Sequence, residues 1–147
     1  MRNLISFFIL FIVILIITSC REDIIEPGNF AGNVNEPIQD NQMNNYSFLI
    51  NAQDFSSSFS VSTNFNYNTS RILLNSSEIE KGLVTIVIKD DSGVLLFSSI
   101  VETELTNKTE KISGAIPGKI DISFLNFTGK LKISLSYVSE WKKDNYL

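Results

Sequence analysis

Few side chains in this sequence could do chemistry. There is no histidine, and Cys20 is the only cysteine. Without imidazole the chain lacks the base of a Ser-His-Asp or Cys-His pair and the usual nitrogen ligand of zinc. No Gly-rich phosphate loop is present, so no cofactor is expected. Carboxylates remain: Asp90 beside Asp91, and Glu102 two residues before Glu104. A glycosidase holds two carboxyls at a set separation across its substrate, so these four are the candidate catalytic set. Asp90 and Asp91 could also supply oxygens to a weak Ca²⁺ site. Their context points elsewhere. Asp90-Asp91-Ser92-Gly93 reads as a turn, where Asp bonds its own backbone, and Glu102 and Glu104 mark a solvated strand end. Turn and surface roles are expected for all four, with no enzymatic activity.

Cys20 has a different context. Ahead of it stand Arg2, an apolar run from Leu4 to Ile17 interrupted only by Ser6, and Thr18-Ser19. That order is the basic, apolar and small-residue order of a secretory signal. Ile17-Thr18-Ser19-Cys20 resembles the lipobox of bacterial lipoproteins. The resemblance implies cleavage before Cys20, a diacylglyceryl group on its sulfur and acylation of its freed amine, giving a lipid-anchored protein of the outer membrane. Two or three chains anchor stably where a single chain does so only marginally. The apolar run is shorter than the ~20 residues of a spanning helix. A lone cysteine in an exported chain has no intramolecular disulfide partner, and lipidation accounts for it. Arg21-Glu22-Asp23 resembles the surface-export signal of some Gram-negative lipoproteins, which implies display on the outer leaflet.

The chain carries 12 Lys and Arg against 16 Asp and Glu, and one of those cations, Arg2, lies within the expected leader. This acidic balance argues against nucleic acid as a partner and against electrostatic adhesion to anionic lipid. Trp141 and Tyr146, in the charged tail Glu140–Leu147, are the candidate binding aromatics. Such residues stack on sugars or anchor proteins when exposed; otherwise Trp141 folds back over the sheet edge.

The elements that must position these groups are strands. Residues 1–19 are the expected signal, and 20–45, with Pro27, Gly28, Gly32 and Pro37, read as the lipidated Cys and a flexible tether that buries too little to offset its ordering entropy. A β-sandwich domain is expected over 46–147. Between Phe55 and Tyr67 the apolar residues Phe55, Phe59, Val61, Phe65 and Tyr67 share one parity, with Ser56, Ser58, Ser60, Ser62, Asn64 and Asn66 on the other. Period two marks a strand with one buried face, and this run is long enough to need a bulge or bend. The polar row could be a hydrogen-bonding platform for a ligand or simply the wet side of a sheet.

Gly82–Lys89 is apolar on both parities and reads as a central strand covered on both faces or nearly so. It pairs through the Asp-Asp-Ser-Gly turn with Val94–Val101. Shorter strands are expected at Ser47–Ile50, Arg71–Leu74 and Glu110–Ser113. Gly118–Phe124 and Lys130–Tyr137 follow, joined by a turn at Asn126-Phe127-Thr128-Gly129, with Leu131, Ile133, Leu135 and Tyr137 inward. About eight short antiparallel strands without an amphipathic helix predict an all-β sandwich. The Pro117-Gly118 corner and the Asn-x-x-Gly turn look like those of small extracellular jelly-roll modules, a resemblance that implies a fold and no functional residue.

The functional expectation is a membrane-anchored envelope lipoprotein whose β-sandwich is a non-catalytic binding module for a protein or glycan partner. The alternatives are a structural accessory subunit of an outer-membrane assembly and a carboxylate-dependent hydrolase.

Overall fold

The computed structural model describes residues 33–139. Those residues are all-β: six strands form one antiparallel sheet. The strands are β1 (Ile38–Gln42), β2 (Asn45–Ser62), β3 (Thr69–Lys89), β4 (Leu95–Val101), β5 (Leu105–Ser113) and β6 (Lys119–Tyr137). Their order is β1-β2-β6-β3-β4, with β5 also paired to β3.

Six strands replace the expected eight: three pairs of expected strands are continuous, leaving five, and β1 is added. Ser47–Ile50 and the Ser/Phe alternation are both β2; Arg71–Leu74 and Gly82–Lys89 are both β3; Gly118–Phe124 and Lys130–Tyr137 are both β6. Bulges join the two halves of each, including those of β6 that a turn was expected to separate. The β2–β6 register slips between Ala52 and Phe55 and again between Phe55 and Ser57. The β3–β6 register slips between Ser77 and Leu83. Asp54, Glu78 and Asn126 take the left-handed conformation at these slips, with φ of 50°, 54° and 47°. Asn126–Gly129 is therefore a bulge inside β6. β1 is the one strand with no sequence counterpart, and it falls within the stretch read as tether.

A bulge inserts one residue and so inverts parity. In β2 the even residues Tyr46, Phe48, Ile50 and Ala52 are buried before the slip, whereas the odd residues Phe55, Phe59 and Val61 turn inward after it. In β6 the buried set changes from Ile120, Ile122 and Phe124 to Phe127, Leu131, Ile133 and Leu135. One face of each strand thus stays apolar along its whole length. The slips line up across the three long strands and divide the sheet into two limbs. The first limb holds β1, residues 45–52 of β2, 129–137 of β6, 69–77 of β3, and β5. The second holds residues 55–62 of β2, 119–127 of β6, 83–89 of β3, and β4.

The limbs share one core. Phe48 of the first lies 5.3 Å from Phe59 and 5.9 Å from Phe124 of the second, ring centre to ring centre. Lys81–Asp54 and Lys130–Glu78 ion pairs, both 2.7 Å, cross the bend; exposed pairs of this kind contribute about 0–1 kcal/mol, so the aromatic core holds the bend. Gly82–Lys89 is central, between β6 and β4, with its inner face fully buried and its outer face partly covered. Val84, Ile86 and Ile88 are fully buried, while Leu83, Thr85 and Val87 on the outer face are half-buried.

Candidate functional site

Cys20, Trp141 and Tyr146 lie outside the described residues. The carboxylate candidates do not converge. Asp90 and Asp91 sit in the β3–β4 turn, and Glu102 and Glu104 follow the opposite end of β4. Asp90 Oδ1 accepts hydrogen bonds from the N–H groups of Ser92 at 2.9 Å and Val94 at 2.8 Å, so its carboxylate closes the turn. Glu104 accepts the Glu78 N–H at 3.0 Å, satisfying a donor at the bend. A cleft of about 340 Å³ adjoins Asp90 and Asp91, but Lys89 and Lys119 line it too. Both lysines approach Asp121, at 3.7 and 3.2 Å. Asp121 is held below the usual carboxylate range by the Ser60 hydroxyl first, against some desolvation, and then by Lys119 and Lys89. Two ammonium groups beside the cleft oppose Ca²⁺ binding, and the described residues hold no cluster of three metal-ligating side chains.

The serine row of β2 is exposed. Ser56 bonds Asn126, Ser58 bonds the Ser123 hydroxyl at 3.0 Å, and Ser60 bonds Asp121 at 2.6 Å. These hydroxyls are spent on the neighbouring strand, which stiffens the β2–β6 pair rather than leaving a free donor array.

A more distinctive arrangement lies where the β1–β2 turn, the β2–β3 loop and the end of β6 meet. Tyr67 and Tyr137 stack with centroids 4.1 Å apart and rings inclined by 25°, yet remain 47% and 39% exposed. Asn44, in the left-handed conformation at φ 58°, organises the corner. Its N–H donates to Asn64 O at 2.7 Å, its carbonyl accepts from Tyr137 N–H at 3.0 Å, and its Oδ1 accepts from Asn66 N–H at 2.8 Å. Asn fits such a position because its short polar side chain tolerates positive φ and bonds locally. Phe65, nearly buried, pins the loop to the core. Asn64, Asn66 and Asn68 are exposed in the same loop as Tyr67. The pair is thus an exposed aromatic platform at a corner braced by Asn44.

No protein-family model matches the chain, and no curated protein matches it. The tyrosine platform therefore rests on geometry alone. Sequence parity assigned Tyr67 and Tyr137 inward, and both point out. β2 stops at Ser62, before Tyr67, and Tyr137 is the last residue of β6, where the strand leaves the core. The signal that could have found Tyr67 is its setting between Asn66 and Asn68, which is loop sequence.

Proposed function

We propose that the chain is a lipid-anchored envelope lipoprotein of the outer membrane whose sheet, doubled into a sandwich of jelly-roll-like character, is a non-catalytic module that binds a glycan at Tyr67 and Tyr137. The observation carrying this reading is the exposed, stacked tyrosine pair. Large aromatic faces left open to water are stabilised by covering their apolar surface. A sugar ring offers a flat C–H face to stack and hydroxyls for the amides of Asn66 and Asn68. The corner is braced by backbone hydrogen bonds, so little ordering entropy is lost on binding. The lipidated Cys20 would hold the module at the membrane.

The test is a glycan array probed with the mature chain, followed by calorimetry on the best oligosaccharide. Tyr67→Ala and Tyr137→Ala should each weaken binding about tenfold or more, near 1.4 kcal/mol per ring, while Tyr137→Phe stays near wild type. Binding that survives both alanine variants, or an array with no retained glycan, would sink the proposal. Intact mass of the membrane-extracted protein tests the anchor: acyl mass on an N-terminal Cys20 is expected.

A further inference from the structure

Tyr67 and Tyr137 come to the corner on segments that are weakly held by their own elements. Tyr67 lies in the loop between Ser62 of β2 and Thr69 of β3, and Tyr137 is the last residue of β6. Loops and strand ends are the parts of a fold that open at least cost. Yet the two rings lie 4.1 Å apart and inclined by 25°, so something outside these segments holds them together.

Asn44 bonds both segments at once. Its carbonyl accepts the N–H of Tyr137 itself at 3.0 Å, and its N–H donates to Asn64 O at 2.7 Å. Its Oδ1 accepts the N–H of Asn66, the residue before Tyr67, at 2.8 Å. On the other side of Tyr67 the Gly114 N–H donates to Asn68 O at 2.9 Å, so the tyrosine is bracketed. The β1–β2 turn by itself asks less of this position. Asn44 has φ 58°, which glycine adopts without steric cost, and its two main-chain bonds need no side chain. The Oδ1 bond spans 22 residues and closes no turn. It goes to the loop that carries the tyrosine.

We propose that Asn44 is the positioning residue of the tyrosine platform: its Oδ1 holds Tyr67 stacked on Tyr137 before any sugar arrives. This rests on the glycan-binding reading for its consequence, which is that Asn44 sets the affinity of the site. A site that is formed for part of the time binds more weakly by the fraction formed. The preformed stack also fixes how a sugar is met. Rings 4.1 Å apart are already in van der Waals contact, so a sugar ring covers an outer face of the pair and does not enter between them.

Two substitutions separate the side-chain bond from the turn. Asn44→Gly keeps the positive φ and both main-chain bonds and removes Oδ1. Asn44→Asp keeps an acceptor in the same place and tolerates the φ. The first readout needs no ligand: the mutual ring-current shifts of the Tyr67 and Tyr137 ring protons in the mature, isotope-labelled chain. The second is calorimetric affinity for the oligosaccharide selected on the array. Asn44→Gly should reduce both in the same proportion, on the order of fivefold, with the core amides of β3 and β6 unshifted, and Asn44→Asp should restore both. Ring-current shifts retained in Asn44→Gly would overturn the proposal, as would shifts lost while affinity holds. Affinity lost with the stack intact would also overturn it, since Asn44 would then meet the sugar itself. An array that retains no glycan removes the binding reading, and the ring-current shifts alone then decide whether Asn44 sets the stack.

Discussion

At the scale of single residues, the chemistry lies in how polar groups are satisfied. Tyr46 is fully buried, and its hydroxyl donates to Gln39 Oε1 at 3.1 Å. Burial pushes its pKa from 10.0 up to about 12. The folded state therefore keeps the phenol protonated where the unfolded chain loses its proton. That contribution is fully present below pH 10 and is lost as pH rises through about 12. Tyr46→Phe should cost ~1 kcal/mol at neutral pH through the lost hydrogen bond. Its deficit should shrink or reverse over the alkaline window, by an amount on the order of 2–3 kcal/mol at 1.4 kcal/mol per unit. Urea denaturation of both proteins at pH 8 to 11.5 reads this difference; parallel curves would show that Tyr46 is not the group.

At the scale of elements, the bend depends on left-handed backbone at the slips. Gly82 has φ +79°, and a Cβ there would overlap the main-chain carbonyls of Asn126 and Leu125 on β6. Neither contact is a flexible side chain, so the strands themselves must part. Gly82→Ala should destabilise by more than ~2 kcal/mol. Gly114 is the matched control, with φ +89° and open space around its missing Cβ, so Gly114→Ala should cost only ~1 kcal/mol for the strained φ. Thermal melts of the two variants compare backbone conformation with strand approach. Equal losses would mean that the close approach of β3 to β6 has no energetic weight.

At the scale of the whole molecule, one core joins both limbs, because β2, β3 and β6 each run through both and Phe48 touches Phe59 and Phe124 across the bend. Phe48→Ala should cost ~3–5 kcal/mol and leave a single cooperative transition. Coincident loss of circular dichroism and of methyl dispersion in NMR checks this. Two separate transitions would show that the limbs fold as independent units.

The all-β class was legible in the residue pattern, and so were the inward sets Phe55, Phe59 and Val61 of β2 and Leu131, Ile133 and Leu135 of β6. Burial follows side-chain alternation, and alternation is a local property written residue by residue. It also carried the β3–β4 hairpin, because Asp90 and Gly93 set that turn from within four consecutive residues. It could not tell a turn from a bulge at Asn126–Gly129. Both use left-handed Asn and Gly, and what separates them is whether β2 and β3 lie alongside to continue the ladder. The same limit hid β1, which gains its place only by pairing with Asn45–Leu49, and turned Tyr67 and Tyr137 from expected core into surface.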